Sequence, residues 1–332
     1  MVSCPASPAR QVFAQALCLC GDARLVGAGL VVSGDGGTVG INGVLDVVGT
    51  HQVSGDVTAF RGVTGVGALT VGGSLATNER VEGVGEVHVA GDLSAGGGVE
   101  NVGSLEVKGT LRTPAPGDFT GSSSIGAVGP YTALAAPPCG CGADQVLDVV
   151  AAVQRARDTN DDAAAGLEPV LEAVGDYVLT LGSGSYYLQS FSTVGSAVIT
   201  IDGAVALFVD GDLETVGDAK FDLTPGSTLD LYVAGSVSMV GSALFNHAAP
   251  GTVRLYVGGP TGKVDLVGAQ EVIGAIYAPD ADLCLVGDTR FVGSLFARSL
   301  DGVGQLSIDA VGQTVLGPDS DACQPTPVIG LQ

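Results

Sequence analysis

Tryptophan is absent from this chain of 332 residues, and aromatic side chains make up only 5% of it. A core built on large rings is thereby excluded, and the 46% apolar content has to pack as valine, alanine and leucine. Basic residues are also scarce: 13 Lys and Arg stand against 35 Asp and Glu, a net charge of −22. A surface of that sign repels phosphate backbones and anionic bilayers, so neither nucleic acid nor an acidic membrane is an expected partner. No apolar run reaches the ~20 residues of a membrane span. No signal peptide is visible either, since Met1-Val2-Ser3-Cys4-Pro5 leads directly into polar sequence.

Motifs for chemistry are missing too. No glycine run ends in Gly-Lys-Ser/Thr, and His51, His88 and His247 stand far apart, outside any HxH or HExxH pattern, so each reads as a surface histidine. The densest carboxylate run, Asp158-Thr159-Asn160-Asp161-Asp162, reads as a solvated helix end. Gly-Asp steps such as Gly55-Asp56 and Gly91-Asp92 lack the nonapeptide spacing of calcium-loaded β-rolls and match ordinary turn chemistry. The sequence therefore predicts no enzyme, no cofactor and no metal site.

What is present is repetition. Leu69-Thr70-Val71 with Gly73 and Leu75 returns as Val87-His88-Val89 with Gly91 and Leu93, then as Leu105-Glu106-Val107 with Gly109 and Leu111. Val63, Val81 and Val99 keep the same step, as do Val66-Gly67, Val84-Gly85 and Val102-Gly103. Further on, Leu207-Phe208-Val209, Leu231-Tyr232-Val233 and Leu255-Tyr256-Val257 recur at a longer step. A short period with apolar strands and glycine corners marks a stacked solenoid. The predicted fold is all-β, a right-handed parallel β-solenoid (β-helix) in two repeat blocks with one flanking α-helix.

The organisation reads as a first solenoid block over 1–112 with an end cap, a linker over 113–142, a flanking helix within 143–172, a second block over 173–317 and a tail over 318–332. The end cap is a short helix over 7–17, with Ser7 as its N-cap. An insertion near 35–45 is expected, because Leu30-Val31-Val32 falls out of step. The main helix is expected from Asp144, its N-cap, to about Asp158, with Val146, Val150 and Val153 on one face. Alternation along the strands turns Phe208, Tyr232, Tyr256, Tyr277 and Phe296 outward in one stripe. The helix is the expected cover for that stripe; the alternative is an exposed binding platform.

Four of the seven cysteines form two close pairs, Cys18/Cys20 and Cys139/Cys141. Residues two apart seldom bridge each other, so disulfides between the pairs are expected. A four-thiolate zinc site and free thiols are the alternatives. Cys284 reads as an unpaired wall residue.

The stretch from about 177 to 311 resembles an uncharacterised bacterial domain family of secreted, pilus-associated and lipoprotein-type surface proteins. The resemblance rests on Tyr186-Tyr187-Leu188, Leu207-Phe208-Val209-Asp210-Gly211-Asp212-Leu213, Leu231-Tyr232-Val233-Ala234-Gly235-Ser236-Val237 and, above all, Gly274-Ala275-Ile276-Tyr277-Ala278-Pro279-Asp280-Ala281. Cys139-Gly140-Cys141, the helix and Asn160-Asp161-Asp162-Ala163 look like those of myxobacterial-type lipoproteins. The resemblance implies a β-solenoid with an extracellular or outer-surface location. A looser likeness is to solenoid ice-binding proteins, but Thr70, His88 and Glu106 do not form their threonine array. The expected function is a non-enzymatic structural or adhesive protein of the cell surface or matrix, self-associating or contacting surface polymers. A filament subunit stacking end to end and a carbohydrate-binding or carbohydrate-cleaving solenoid are the alternatives.

Overall fold

The computed structural model describes residues 15–34, 37–114, 118–246, 251–259 and 262–310. The helix expected over 7–17 lies largely outside these residues, and the tail, Cys4, Cys323 and His247 lie wholly outside them.

Valine-rich alternation dictates strands whose apolar residues face one side. In the first block a coil is made of β6 (Gly62–Val71), bent at Gly67, and the short β7 (Leu75–Thr77). Above it stack β8 (Val81–Val89), β9 (Leu93–Ala95) and β10 (Val99–Arg112). Val63 pairs with Val81 and Val81 with Val99, and the pairing Leu69↔Val87↔Leu105 runs beside them. All six side chains are buried. Like residues thus stand over like residues, and the core is a set of apolar columns rather than a single cluster.

The bend itself demands glycine. Gly67, Gly85 and Gly103 all have φ between +122° and +136°. A Cβ on Gly85 would lie 2.0 Å from the carbonyl oxygen of Gly67 in the coil below. This glycine column runs through the whole stack, and in nearly every coil the residue before it is valine.

The second block follows the same scheme with longer coils. It comprises β12 (Val170–Leu188), β13 (Ser190–Val209), β14 (Leu213–Leu223), β15 (Thr228–Val233), β16 (Val237–Asn246), β17 (Val253–Val257) and β18 (Lys263–Asp309). Leu207, Leu231, Leu255 and Ile276 pair in turn and are all buried.

The stacking order departs from chain order. β18 continues onto the first strands of the chain, β1 (Leu17–Leu19) and β2 (Ala23–Ser33), through Leu295↔Leu17, Leu300↔Ala23 and Leu306↔Leu30. β1 and β2 then pair onward with β3 (Val39–Ile41) and β4 (Val44–Val53). One parallel β-solenoid of about 12 turns results, starting at β12 and ending beyond β10, with the first coil of the chain in its middle. The last coil of the second block covers the first rung, the role assigned in sequence to residues 7–17.

Two other expectations need correction. Within the expected linker 113–142, Asp118–Gly129 is a strand (β11) paired with β10 through Gly103↔Gly121 and Val107↔Ile125. Its serines hid it, because Ser123 stands where the coils below carry Leu105 and Val87. His51 is buried at 1% exposure and occupies the core column of Leu69, so it is no surface residue. The register slips between Gly27 and Val31, and the Leu30 amide donates to His51 Nδ1 at 3.0 Å. Burial holds the His51 pKa below the ordinary histidine value, outweighing a backbone hydrogen bond to Val48 that raises it.

Candidate functional site

From β11 the chain turns back along the outside of the stack as a strap. Asn78 and Asn42, two coils apart, anchor it. Asn78 Oδ1 accepts from Tyr131 Oη and from the Leu134 amide, both at 2.7 Å, and its Nδ2 donates to the Leu134 carbonyl. Asn42 exchanges the same pair of bonds with the backbone of Cys139. A side-chain amide facing one residue's backbone mimics a strand pairing. Neither asparagine was singled out in the sequence, although their shared position in alternate coils is a readable signal.

The strap is then locked. Cys18 is bonded to Cys139 and Cys20 to Cys141, with Cα separations of 5.8 and 5.7 Å. Cys284 is free and half-buried, with its thiol pKa raised by burial. Thiol titration under denaturing, non-reducing conditions is expected to find at most three of the seven cysteines reactive. Seven reactive thiols, or one bound zinc per chain, would contradict the bridges.

Beyond the bridges, helix α1 (Val149–Ala156) lies on the aromatic stripe. It starts five residues later than the sequence suggests. Leu147 donates its amide to Tyr277 Oη at 2.7 Å, and Asp148 rather than Asp144 caps the helix through the Ala151 amide. The buried face is Val149, Val153 and Ala156, whereas Val146 and Val150 are half-buried. Gly258 admits the helix, since a Cβ there would lie 2.6 Å from that of Val149.

Phe208, Tyr232 and Tyr256 stack at 4.7 and 4.5 Å between centroids, and Tyr277 and Phe296 continue the row with tilted rings. Tyr256, Tyr277 and Phe296 are buried, and Phe208 and Tyr232 half-buried. Burial pushes the Tyr277 phenol up to about 12, against a smaller lowering by its bond to Leu147. The stripe is therefore a docking seat for the chain's own helix.

Past α1 the strap reaches the far end of the stack. Here the carboxylate run has a role that its reading as a solvated helix end missed. Asp161 Oδ2 accepts from the Ser185 amide and Asp162 Oδ1 from the Tyr187 amide, both at 2.9 Å, while the Asp161 amide donates to the Ser185 carbonyl. These groups lie on the outer edge of β12, so the short helix α2 (Asp162–Ala165) and its approach block part of that edge. Burial raises the Asp162 pKa, opposed by the Tyr187 bond.

Several arginines pair with carboxylates of neighbouring coils, Arg112 with Asp92, Arg80 with Glu100, Arg254 with Asp230 and Arg298 with Asp282, and His88 Nδ1 lies 2.8 Å from Glu106. Among the described residues no three His, Cys, Asp or Glu side chains converge as a metal site would require. No helix there is long and apolar enough to cross a membrane.

A parallel β-solenoid strapped by its own linker is the class that fold and site define. Residues 143–312, from just before α1 to just past β18, match a domain of unknown function, DUF7305, and the chain belongs to that family. No curated protein matches it. Among solved structures, the ice-binding protein of an Antarctic bacterium, Flavobacteriaceae, is similar at 10% identity over 92% of this chain and 98% of that one. Its TM-score of 0.24 is too low for the likeness to bear on fold or activity.

Proposed function

We propose that this protein is a non-enzymatic structural or adhesive solenoid of the cell surface or extracellular matrix. The observation that carries the reading is the treatment of the two ends. At one end the last coil replaces core leucine and valine with Ser123 and exposes Ser122 to Ser124. At the other, Asp161 and Asp162 occupy edge amides of β12. A last coil that loses its core residues and an edge partly occupied by carboxylates favour a rod that stops over one that adds subunits. Two disulfides on a strap suit an oxidising compartment. Negative-stain micrographs at neutral pH should show single rods of about 60 Å, given ~4.8 Å per coil. Fibres would favour the filament alternative.

The absence of chemistry is part of the proposal. Catalysis by a solenoid needs several groups from adjacent coils around one substrate atom. Here the basic groups that such a site would need stand mostly in pairs with carboxylates of neighbouring coils. Incubation with pectin, alginate, chitin and peptidoglycan is expected to release no reducing or unsaturated ends. Turnover that disappears on changing a single acidic residue would overturn this.

A further inference from the structure

The residue before the corner glycine defines a second feature of the whole stack. Val174, Val194, Val216 and Val240 pair in succession, and across the seam Val303, Val26, Val48, Val66 and Val84 do the same. Among the described residues, nine of the thirteen exposed large apolar side chains belong to this one column, so the exposure is organised and not scattered. Val66 and Val84 are each 54% exposed, and Val174 is 87% exposed. Beneath Val66 and Val84, inward-facing Gly65 and Gly83 leave a shallow apolar depression walled by Val63, Leu69 and Val87. Eleven coils at ~4.8 Å make the ridge about 50 Å long.

Carboxylates border it on both sides. Two residues before the valine the column holds Glu172, Glu214, Asp301, Asp46, Glu82 and Glu100, interrupted by serine, threonine and cysteine; Arg24 lies 3.8 Å from Asp46, and Arg80 offsets part of the charge of Glu82 and Glu100. Two residues after it stand Asp176, Asp218, Asp288 and Glu86 among serines and small residues. An apolar line between two acidic lines excludes several occupants on sign. Anionic lipid and nucleic acid are repelled, and a second copy would set acid against acid.

The matching partner is apolar along one stripe and basic on both flanks. A helix provides that, with apolar residues at i, i+3, i+4 and i+7 and a rise of ~5.4 Å per turn against ~4.8 Å per coil. The molecule already contains such a fit. Val149, Val153 and Ala156 of α1, at i, i+4 and i+7, lie along the stack over aromatic residues of successive coils.

We propose that the valine ridge with its flanking carboxylates is a docking surface for a cationic amphipathic helix of another protein. This deepens the adhesive reading by naming the partner's chemistry, and it rests on that reading. Its test is independent of the micrographs and of the polysaccharide incubations, which decide the reading itself.

The probe is a fluorescein-labelled peptide of about 18 residues, lysine throughout with leucine at i, i+3, i+4 and i+7. Its control is a scrambled isomer without the stripe. Because a protein of net charge −22 attracts any polycation, the deciding variant changes no charge. It is Val66→Thr/Val84→Thr/Val216→Thr, in which β-branched residues keep the strands. By anisotropy at ~0.15 M salt, the striped peptide should bind with a Kd of about micromolar order. The variant should weaken it about tenfold or more, through lost apolar contact alone. Circular dichroism and the melting point of the variant should match the parent, showing that the fold is kept. Equal binding of striped and scrambled peptides, or equal binding by parent and variant, would overturn the proposal. So would dimerisation of the parent that the variant abolishes, which would assign the ridge to a second copy.

Discussion

Gly85→Ala is expected to lower the stability of the rod by about 3 kcal/mol or more, a large effect for a single methyl group. Two costs coincide there. The backbone holds φ at +127°, which an L side chain rarely adopts. The new Cβ would also fall 2.0 Å from the Gly67 carbonyl oxygen. That oxygen belongs to the neighbouring coil's backbone, so relief requires opening the stack. Gly175 supplies the control. It belongs to the same column with φ at +93°, but it stands at the end of the stack and a Cβ there meets nothing within 4 Å. Gly175→Ala should therefore cost only the conformational share, about 1–2 kcal/mol. Thermal melts of both variants decide the point, and equal losses would show that the stacking contact contributes nothing.

Val153→Asp is the second large effect, at about 3 kcal/mol or more. Val153 is fully buried in the cluster of Tyr187, Tyr256 and Tyr277, where a carboxylate would be stripped of water. Because the bridges hold the strap upstream of α1, release should be local. The near-ultraviolet signal of the stacked tyrosines should collapse while the far-ultraviolet strand signal persists. Val150→Asp, on the half-buried side, should melt within about 1 kcal/mol of the parent. If the two variants behave alike, the helix is not seated by Val153.

The parts of this structure legible in sequence are those in which each coil repeats the chemistry of the last. Val63, Val81 and Val99 declare their stacking because each must bury the same surface against the same neighbours. The aromatic stripe was legible for the same reason, since outward rings at equivalent positions are too apolar to stay wet. The bridging between the two cysteine pairs was legible, but not which cysteine bonds which. What escaped were contacts made once. Leu17 on Leu295 reads like any other rung, so nothing in either block tells that they meet. Ser122 to Ser124 concealed a strand because a terminal coil has no further layer to bury. Asp148 could not be told from Asp144 as a cap without the Tyr277 hydroxyl that engages Leu147. His51 escaped because its burial follows from a register slip, which no composition rule reports.

The seam between β18 and the first coil also sets a schedule for synthesis. Leu17, Leu25 and Leu30 leave the ribosome early, yet the residues that cover them from below, around Leu295 to Leu306, are among the last of the described chain to emerge. At about 5–20 residues per second, that apolar edge waits for tens of seconds. During this interval the first block is a half-finished template with unpaired strands, open to pairing with another nascent chain. A cell making this protein in quantity has to shield that edge until the second block arrives.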